Sequence, residues 1–518
     1  MSKAQAPDCD QTEVEAFLSE PDSYRPRPEQ VERLDTHGAM VFMAGDHVWK
    51  IKRAVDFPYM DFSTLEKREA VCRREVEVNR TWAPDLYLGC VPITRATGGG
   101  LEFDGKGEPV EWAVHMRRFP QNDLLAWIAD HQGVPRALAR DLADTVLDGH
   151  SRAERIDGQD SAAAMRRLVE ALSDNIAGRA DILPRELAER FRKSASDQHG
   201  RVSRLLNTRA EEGFVRRCHG DSHLGNIVLW NGRPMLFDAI EFDEDVARVD
   251  TLYDLAFLLM DLDHRGLRSA SNTVLNRYLW RSGATRDLDG LAALPLFLGL
   301  RAGVRAMVTA ERAAQKNEEQ DRIIALRYLE AALAYLHPGS PKLIAVAGLS
   351  GTGKSTLATR LAPDLIPAPG AVHLRSDLER KSLFGVEETD RLGSEAYTPA
   401  AARSVYGILV DKARRVLSAG HSVVVDAVYA RPEERNDLED VARALNVPLH
   451  GLWLAAAPET LADRVAQRRN DASDATVEVV QQQLDYEIGE LSAAWTVVDA
   501  GRDVEATLSQ AQTALMRS

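Results

Sequence analysis

The sequence predicts two unlike parts, an α+β fold over residues 1–340 and an α/β fold with a five-stranded parallel sheet over residues 341–518. In the second part, short apolar runs alternate with helical patterns, which is typical of a parallel sheet covered by helices on both faces. In the first part, strand patterns are followed by long helical stretches. The segment His337-Pro338-Gly339-Ser340-Pro341 marks the boundary, because proline and glycine end a helix and favour an extended linker.

The first part divides again into a small lobe, about residues 30–118, and a large lobe, about residues 119–336. Hydrophobic periodicity and turn residues give the elements. These are strands at 39–43, 47–52, 86–91 and 112–117, a helix at 64–81, helices across 122–208, a hairpin at 227–237 and helices across 250–336.

In the second part, five apolar runs read as strands, each followed by a helical pattern. The predicted strands lie at 343–347, 371–374, 422–425, 449–454 and 495–498. Because these runs are apolar on both faces, we expect a buried parallel sheet.

Composition limits the class of protein. The chain carries a net charge of -15, which argues against nucleic-acid binding through phosphate neutralisation. No apolar run approaches the roughly 18–20 residues of a membrane span. We therefore expect a cytoplasmic protein without a membrane partner, whose oligomeric state the sequence leaves open.

A phosphate-binding loop follows the first strand of the second part. The spacing Gly348-x-x-x-x-Gly353-Lys354-Ser355 at a strand-to-helix turn lets backbone N–H groups surround the phosphates of a nucleotide. Lys354 is expected on the β- and γ-phosphates, and Ser355 on Mg²⁺. The predicted nucleotide-binding residues are Gly348, Ser350, Gly351, Thr352, Gly353, Lys354, Ser355 and Thr356.

Two carboxylates follow other strands of this sheet. Asp426 ends the run 422–425 and is predicted to order Mg²⁺, with a helix N-cap as the alternative. Asp377 follows the run 371–374 and is predicted to accept the proton of an attacking hydroxyl, although Asp here also suits an N-cap. An anionic substrate is expected at Arg375, Arg380 or Lys381.

A basic helix end, Arg464 to Arg469, runs into an acidic loop. Arg464 and Arg468 are predicted to fold over the γ-phosphate, and a solvated, self-paired charge run is the alternative. With the phosphate-binding loop and Asp377, these residues resemble the small P-loop kinases, the group of gluconate kinase, polynucleotide kinase and zeta toxin. The resemblance covers about residues 341–515.

The first part carries a second pattern of the same chemistry. His219-x-Asp221-x-x-x-x-Asn226 has the spacing of a kinase catalytic loop, in which the Asp is the base and the Asn holds a metal. The predicted hairpin then delivers Asp238, a second carboxylate for Mg²⁺. We expect Asp221 at the acceptor hydroxyl, with Asn226 and Asp238 on the metal.

From about residue 30 to 335 the chain resembles the aminoglycoside phosphotransferase and choline kinase family, and Asp250-Thr-Leu-Tyr253-Asp254 also suits that family. The resemblance implies a bilobal, protein-kinase-like α+β fold. It also implies that Lys50 or Lys52 reaches the ATP phosphates, that Glu75 rather than Glu69 holds that lysine, and that Met116 lies in the adenine hinge. Two solvent-facing lysines on an edge strand are the alternative.

These patterns predict a bifunctional kinase that transfers the γ-phosphate of Mg·ATP to hydroxyl groups of small metabolites, such as a sugar or an amino alcohol. The small lobe lacks a Gly-x-Gly-x-x-Gly loop and has the short turn Ala44-Gly45-Asp46 instead. Two alternatives therefore remain open. In one, the phosphate-binding-loop domain alone is catalytic, on nucleic-acid 5′-hydroxyls. In the other, the chain is an ATP-driven switch with a regulatory first domain.

Overall fold

The computed structural model describes residues 10–36, 38–57, 60–316, 318–467 and 472–516. Contacts within the chain form two compact units. The first comprises the described parts of Met1–Ala164 and Asn207–Leu258, and the second those of Met165–Leu206 and Leu259–Ser518. The boundary near residue 340 lies inside the second unit, so the domain division at that residue stays a prediction.

The elements up to His264 comprise a short first helix, the strands of the small lobe around the second helix, and then mostly helical chain. Their strands are β1 (Val31–Asp35), β2 (Ala39–Ala44), β3 (His47–Lys52), β4 (Asp56–Phe57), β5 (Met60–Asp61), β6 (Tyr87–Arg95), β7 (Leu101–Phe103), β8 (Pro109–Arg117), β9 (Val215–Arg217), β10 (Ile227–Trp230), β11 (Arg233–Leu236) and β12 (Arg248–Asp250). Their helices are α1 (Thr12–Ser19), α2 (Leu65–Trp82), α3 (Leu125–His131), α4 (Arg136–Arg152), α5 (Ser161–Ala177), α6 (Arg185–Glu211), α7 (Glu244–Ala247) and α8 (Thr251–His264).

A six-stranded antiparallel sheet, in the order β1-β2-β3-β8-β6-β7, organises the first unit. Side chains alternate across its strands, so the two faces bury different sets of residues. One face packs on α1 through residues such as Leu18 and Phe42. The other packs on α2 through Cys72, Val76 and Val114. This second face is the one that carries the charged side chains described below.

The second unit continues with helices and a parallel sheet. Its further helices are α9 (Arg268–Ser282), α10 (Thr285–Gly290), α11 (Leu294–Lys316), α12 (Glu319–Tyr335), α13 (Lys354–Leu361), α14 (Ser376–Leu383), α15 (Pro399–Ser418), α16 (Pro432–Leu445), α17 (Pro458–Ala466), α18 (Val477–Leu484) and α19 (Val504–Met516). Its strands are β13 (Leu343–Gly348), β14 (Val372–Arg375), β15 (Val423–Asp426), β16 (Leu449–Ala455) and β17 (Trp495–Asp499).

The five strands pair in parallel in the order β14-β15-β13-β16-β17. Every residue of β13 and β15 is buried, as expected for strands covered on both faces. All five strands end at the same edge of the sheet, which places the phosphate-binding loop beside the residues that follow β14 and β15. The predicted fold class is confirmed for both parts of the chain.

One stretch among the described residues, 285–316, is long and apolar enough to cross a membrane, with a mean hydropathy of 1.5. The expectation that no apolar run approaches the length of a membrane span is therefore wrong for this stretch. Within the structure 72% of its apolar window is buried, and core helices of this length pass the same test, so the stretch is weak evidence for a span. A cytoplasmic location stays a prediction.

Candidate functional site

The first candidate site is built on β3, which lies inside the sheet between β2 and β8. Lys50 and Lys52 alternate on this strand and therefore share the face that packs on α2. Both reach Glu75 of that helix, with Lys50 Nζ 2.9 Å from Oε1 and Lys52 Nζ 2.6 Å from Oε2. The alternative of two solvent-facing lysines on an edge strand is therefore wrong.

The two lysines differ in their second partners. Lys50 Nζ lies 2.7 Å from Oδ1 of Asp238, and Lys52 Nζ lies 2.5 Å from Oε1 of Glu241. The Asp238 side chain is 43% exposed, whereas that of Glu241 is 6% exposed. Lys50 therefore reaches the solvent-facing side of this charged cluster, and Lys52 lies at its buried side.

The charges of this cluster stabilise one another. Burial alone would raise the pKa of Glu75, but Lys50 and Lys52 lower it to about 2. Burial alone would lower the pKa of Lys50, yet Asp238 and Glu75 hold it well above its ordinary value. At neutral pH the cluster thus holds an ionised carboxylate between two ammonium groups.

The loop that carries Asp221 is anchored from behind by Asp254 of α8. Its Oδ1 accepts a hydrogen bond from the Gly220 N–H at 2.8 Å, and its backbone carbonyl accepts one from Ser222 Oγ at 2.7 Å. Oδ2 of the same carboxylate lies 3.0 Å from Nε2 of His150. The first two contacts hold the residues on either side of Asp221, and His150 holds the Asp254 carboxylate, so the loop is fixed on α8 around Asp221.

Asp221, Asn226 and Asp238 belong to one arrangement. The Asn226 Nδ2 group donates to the carbonyl oxygen of Asp221 at 3.0 Å and to its Oδ2 at 2.7 Å. The strands β10 and β11 deliver Asp238, which adopts a φ of 62°, a conformation that costs a non-glycine residue energy. Hydrogen bonds from the Asp238 N–H to Tyr87 and from the Ala239 N–H to Asn79 hold it there.

Met116 is buried in the core between the sheet and α2, paired across the strands with Val48 and Tyr87. Its role in adenine binding stays a prediction. Sequence reasoning gave no role to Glu241, whereas the family resemblance implies that the helix start at Asp250-Thr-Leu-Tyr253-Asp254 supports the catalytic loop, as Asp254 does. The spacing Asp238-x-x-Glu241 was the available signal, but the partner of Glu241 lies 189 positions away along the chain.

The second candidate site begins where β13 enters the loop at Gly348. Gly348, Gly351 and Gly353 have φ values of 137°, 89° and 85°, which side chains rarely allow. A Cβ on Gly348 or Gly351 would lie 2.6 Å from a backbone oxygen, that of Leu454 or Leu461. The loop therefore depends on glycine at these positions, and α13 begins directly after it at Lys354.

Side chains brace this loop from two sides. Thr352 Oγ1 and Lys354 Nζ donate to the carbonyl oxygen of Leu349, at 2.8 and 3.1 Å. The Ser350 N–H donates to Oε1 of the buried Gln483 in α18, at 2.7 Å. Sequence reasoning missed Gln483, because a glutamine on a helix 133 positions away carries no local signal.

Asp426 is the last residue of β15 and is buried, and α16 begins six residues later with Arg431 as its N-cap. It is therefore not a helix N-cap. Burial alone would raise the pKa of Asp426, but His373, Lys354 and Arg375 lower it below its ordinary value. Of these groups, His373 has Nε2 3.4 Å from Oδ2 of Asp426.

Asp377 lies in the first turn of α14, one residue past the helix start, and the N-cap is Arg375. The N-cap alternative for Asp377 is therefore wrong. Of the three predicted substrate cations, Lys381 lies 2.7 Å from Asp474 and is buried, and Arg380 donates to the carbonyl oxygen of Ala396 at 2.5 Å. Nε of Arg375, the third of these cations, lies 4.0 Å from Oδ2 of Asp426.

Arg464 donates to the carbonyl oxygens of Ala500 and Arg502, at 2.8 and 3.0 Å. The structure thus directs this guanidinium to the loop before α19, and its role at the γ-phosphate stays a prediction. Arg468 lies outside the described residues. The self-paired charge run proposed as the alternative is not what Arg464 forms here, since both contacts go to backbone.

Two family models match the chain. The phosphotransferase enzyme family matches residues 55–294, and an AAA domain matches residues 343–487. The two matches contain the two candidate sites, apart from Lys50 and Lys52. They confirm the two resemblances given by the motifs.

Similarity to two mycobacterial proteins extends over nearly the whole chain. Uncharacterized protein Rv2004c of Mycobacterium tuberculosis (strain ATCC 25618 / H37Rv) and Uncharacterized protein Mb2027c of Mycobacterium bovis are each 32% identical over 472 residues. Each alignment covers 89% of this chain and 91% of the relative.

Among solved structures, the wild-type aminoglycoside 2'-phosphotransferase-IIIa in its GDP complex is 12% identical, covers 62% of this chain and 99% of its own, and has a TM-score of 0.38. A choline/ethanolamine kinase family protein from Mesorhizobium loti is 14% identical, covers 63% and 99%, and scores 0.34. A gluconokinase from Sinorhizobium meliloti 1021 is 20% identical, covers 34% and 92%, and scores 0.26. Scores this low carry no argument about function.

The extended match and the two family models agree. The chain belongs to the same family as these mycobacterial proteins, and it is an ATP-dependent phosphotransferase in which a domain of the phosphotransferase enzyme family precedes an AAA domain with a kinase-like phosphate-binding loop.

Proposed function

We propose that this chain transfers the γ-phosphate of Mg·ATP to hydroxyl groups of small metabolites at two tandem sites. The observation that carries the proposal is the position of Lys50 between Glu75 and Asp238. In kinases, the pair of a strand lysine and a helix glutamate must be in place for transfer, together with the metal-binding aspartate. A regulatory domain without catalysis has no need to keep all three together.

At the first site, Lys50 binds the α- and β-phosphates, and Asp221 orients the acceptor hydroxyl and takes its proton. Because the Asn226 amide nitrogen is bound to Asp221, its amide oxygen is the atom of this side chain that would bind a cation, together with Asp238. Oxygen donors of this kind suit Mg²⁺, which when bound neutralises charge on the transferred group.

At the second site, the backbone of the glycine loop and Lys354 bind the phosphates. Ser355, in the first turn of α13, and the ionised Asp426 would hold Mg²⁺. Asp377 follows the edge strand of the sheet and orients a second acceptor hydroxyl. The acidic net charge of -15 favours small hydroxylated acceptors over nucleic acid at both sites.

The test follows labelled phosphate from ATP into a panel of sugars, amino alcohols, aminoglycosides and short RNAs. Wild type is compared with Asp221→Asn and Lys354→Ala, and Lys193→Ala serves as the control, because its side chain is 80% exposed and pairs with Asp197 on the same helix. Removing a catalytic base typically costs about 10²- to 10⁴-fold. We expect each of the two variants to lose one product and keep the other.

Three other outcomes would contradict the proposal. If Lys354→Ala abolishes all transfer and Asp221→Asn abolishes none, the first domain is a regulatory module. Transfer confined to the RNA 5′-hydroxyl would favour a nucleic-acid kinase. ATP turnover that no acceptor accelerates would favour an ATP-driven switch.

A further inference from the structure

Helix α9 covers the free edge of the parallel sheet in the second unit. Strand β14 is the edge strand, and it exposes backbone groups that no neighbouring strand can bind. Asn272 and Asn276 of α9 donate from Nδ2 to the carbonyl oxygen of Ala371, at 3.0 and 3.2 Å. The His373 N–H donates to Oδ1 of Asn276 at 2.6 Å. Side-chain amides of α9 thus bind backbone groups at the sheet edge that a further strand would otherwise bind.

From this helix, Arg277 reaches toward the carboxyl end of β14. Its Nη1 donates to Oε2 of Glu388 at 2.9 Å, and both side chains are largely buried, at 15% and 13% exposed. The other oxygen of Glu388, Oε1, lies 3.9 Å from Nη1 of Arg375. Arg375 in turn lies 4.0 Å from Asp426.

Charges alternate along this row, from Arg277 through Glu388 and Arg375 to Asp426. At 3.9 Å, Glu388 attracts Arg375 electrostatically without the short contact of a hydrogen bond. Glu388 can stay at that distance because Arg277 binds its other oxygen. Without Arg277, a largely buried carboxylate would lose one of its charged partners and would draw Arg375 toward itself, away from Asp426.

We propose that Arg277 is a positioning residue of the phosphate-binding-loop site. By holding Glu388, it keeps Arg375 beside Asp426 at the end of the sheet where the loop binds phosphate. Arg277 lies in the stretch that the phosphotransferase enzyme family matches, so one family's helix completes the active site of the other family's domain. This inference rests on the proposed function of the second site.

The same helix offers a matched control. Arg281 lies one turn further along α9 and pairs with Glu387 at 2.8 Å, but these side chains are 36% and 67% exposed. Arg281 therefore joins the same helix to the same loop through the residue next to Glu388. A role limited to holding α9 on the loop would be shared by both arginines.

The experiment uses the full chain carrying Asp221→Asn, which silences the first site. Phosphate release from Mg·ATP and binding of a fluorescent ATP analogue are measured for Arg277→Ala, Arg277→Lys and Arg281→Ala. Lys354→Ala sets the zero of activity. We expect Arg277→Ala to lower kcat about 10- to 100-fold, the cost of a misplaced active-site group, while analogue affinity changes less than about threefold. Arg277→Lys should recover part of the loss, and Arg281→Ala should match the parent.

A charge swap separates positioning from simple pairing. Arg277→Glu with Glu388→Arg restores an ion pair, so the melting temperature should rise above that of Arg277→Glu alone. Turnover should stay low, because the swap places a guanidinium at position 388 against Arg375.

Equal kcat for Arg277→Ala and Arg281→Ala would overturn the inference, as would a swap that restores turnover together with the melting temperature. If Arg277→Ala fails to fold, Arg277→Lys and the swap decide by the same criteria. Turnover that survives Lys354→Ala would instead refute the function proposed for the second site.

Discussion

Lys50 and Lys52 both pair with Glu75, but we expect Lys50 to act in phosphate transfer and Lys52 to stabilise the fold. Replacing Lys50 by Met leaves Glu75 paired with Lys52, and it leaves Asp238 in contact with solvent. Because the Lys50 side chain is 14% exposed and Glu75 is buried, we expect a stability loss between that of an exposed ion pair, about 1 kcal/mol or less, and that of a buried one, about 3–5 kcal/mol. Phosphate transfer should fall by about 10²-fold or more, because a group that stabilises phosphate charge is lost.

Replacing Lys52 by Met has the opposite profile. Glu75 and Glu241 are buried, and Lys52 is the partner of Glu241 and one of the two partners of Glu75. Removing one member of a buried ion pair typically costs about 3–5 kcal/mol. We expect a loss of that size in the free energy of unfolding, with Lys50 still bound to Asp238 and the ATP affinity of the folded fraction retained.

The assay combines urea unfolding with transfer kinetics in a Lys354→Ala background, so that the first site alone is measured. Hydrogen exchange of β3 and α2 localises the stability change to the small lobe. Lys67→Met is the control, because Lys67 pairs with Asp61 on the same lobe and both side chains are exposed. If Lys52→Met abolishes ATP binding at unchanged stability, the assignment of the two lysines is refuted.

Two further predictions test groups outside these clusters. Burial, with the nearby His47 and Arg117, lowers the pKa of His115 from 6.5 to about 4. The unfolded chain therefore takes up this proton first, and stability should fall as the pH drops from about 6.5 to 4. The pH dependence of the urea midpoint over that range should be weaker in His115→Phe, and an unchanged pH dependence would contradict this prediction. Gln483→Leu leaves the Ser350 N–H without its acceptor. It should weaken binding of a fluorescent ATP analogue several-fold, which corresponds to about 1 kcal/mol or more. The control is Gln482→Leu, at the exposed neighbouring position, which should leave this affinity unchanged.

Local pattern was sufficient for the parallel sheet. The strands predicted at 343–347 and 422–425 lie within one residue of β13 and β15, because strands buried on both faces are continuous apolar runs. Strand β1 was missed for the converse reason. Its sequence, Val31–Asp35, is exposed and mostly polar, so it carries no hydrophobic alternation and is recognised through its pairing with β2.

In the candidate sites too, sequence identified residues in local motifs but not contacts between residues far apart in the chain. Glycines, Lys354 and the catalytic-loop residues sit in short motifs whose spacing reflects backbone geometry, so sequence identified them. Which lysine lies at the solvent-facing side of the charged cluster depends on Asp238 and Glu241, nearly two hundred residues away. Local spacing therefore cannot distinguish Lys50 from Lys52. Charge patterning alone also could not show that Arg464 binds backbone carbonyls of the loop before α19.

The boundary near residue 340 shows what a linker motif does and does not imply. Pro338 and Pro341 end a helix, which is a property of the local backbone. Packing follows different rules, since the edge strand β14 needs partners for its backbone groups wherever they lie in the chain. Asn272 and Asn276 supply them from before the boundary. These contacts join residues on either side of the boundary, so the edge of the parallel sheet depends on helix α9, which precedes residue 340.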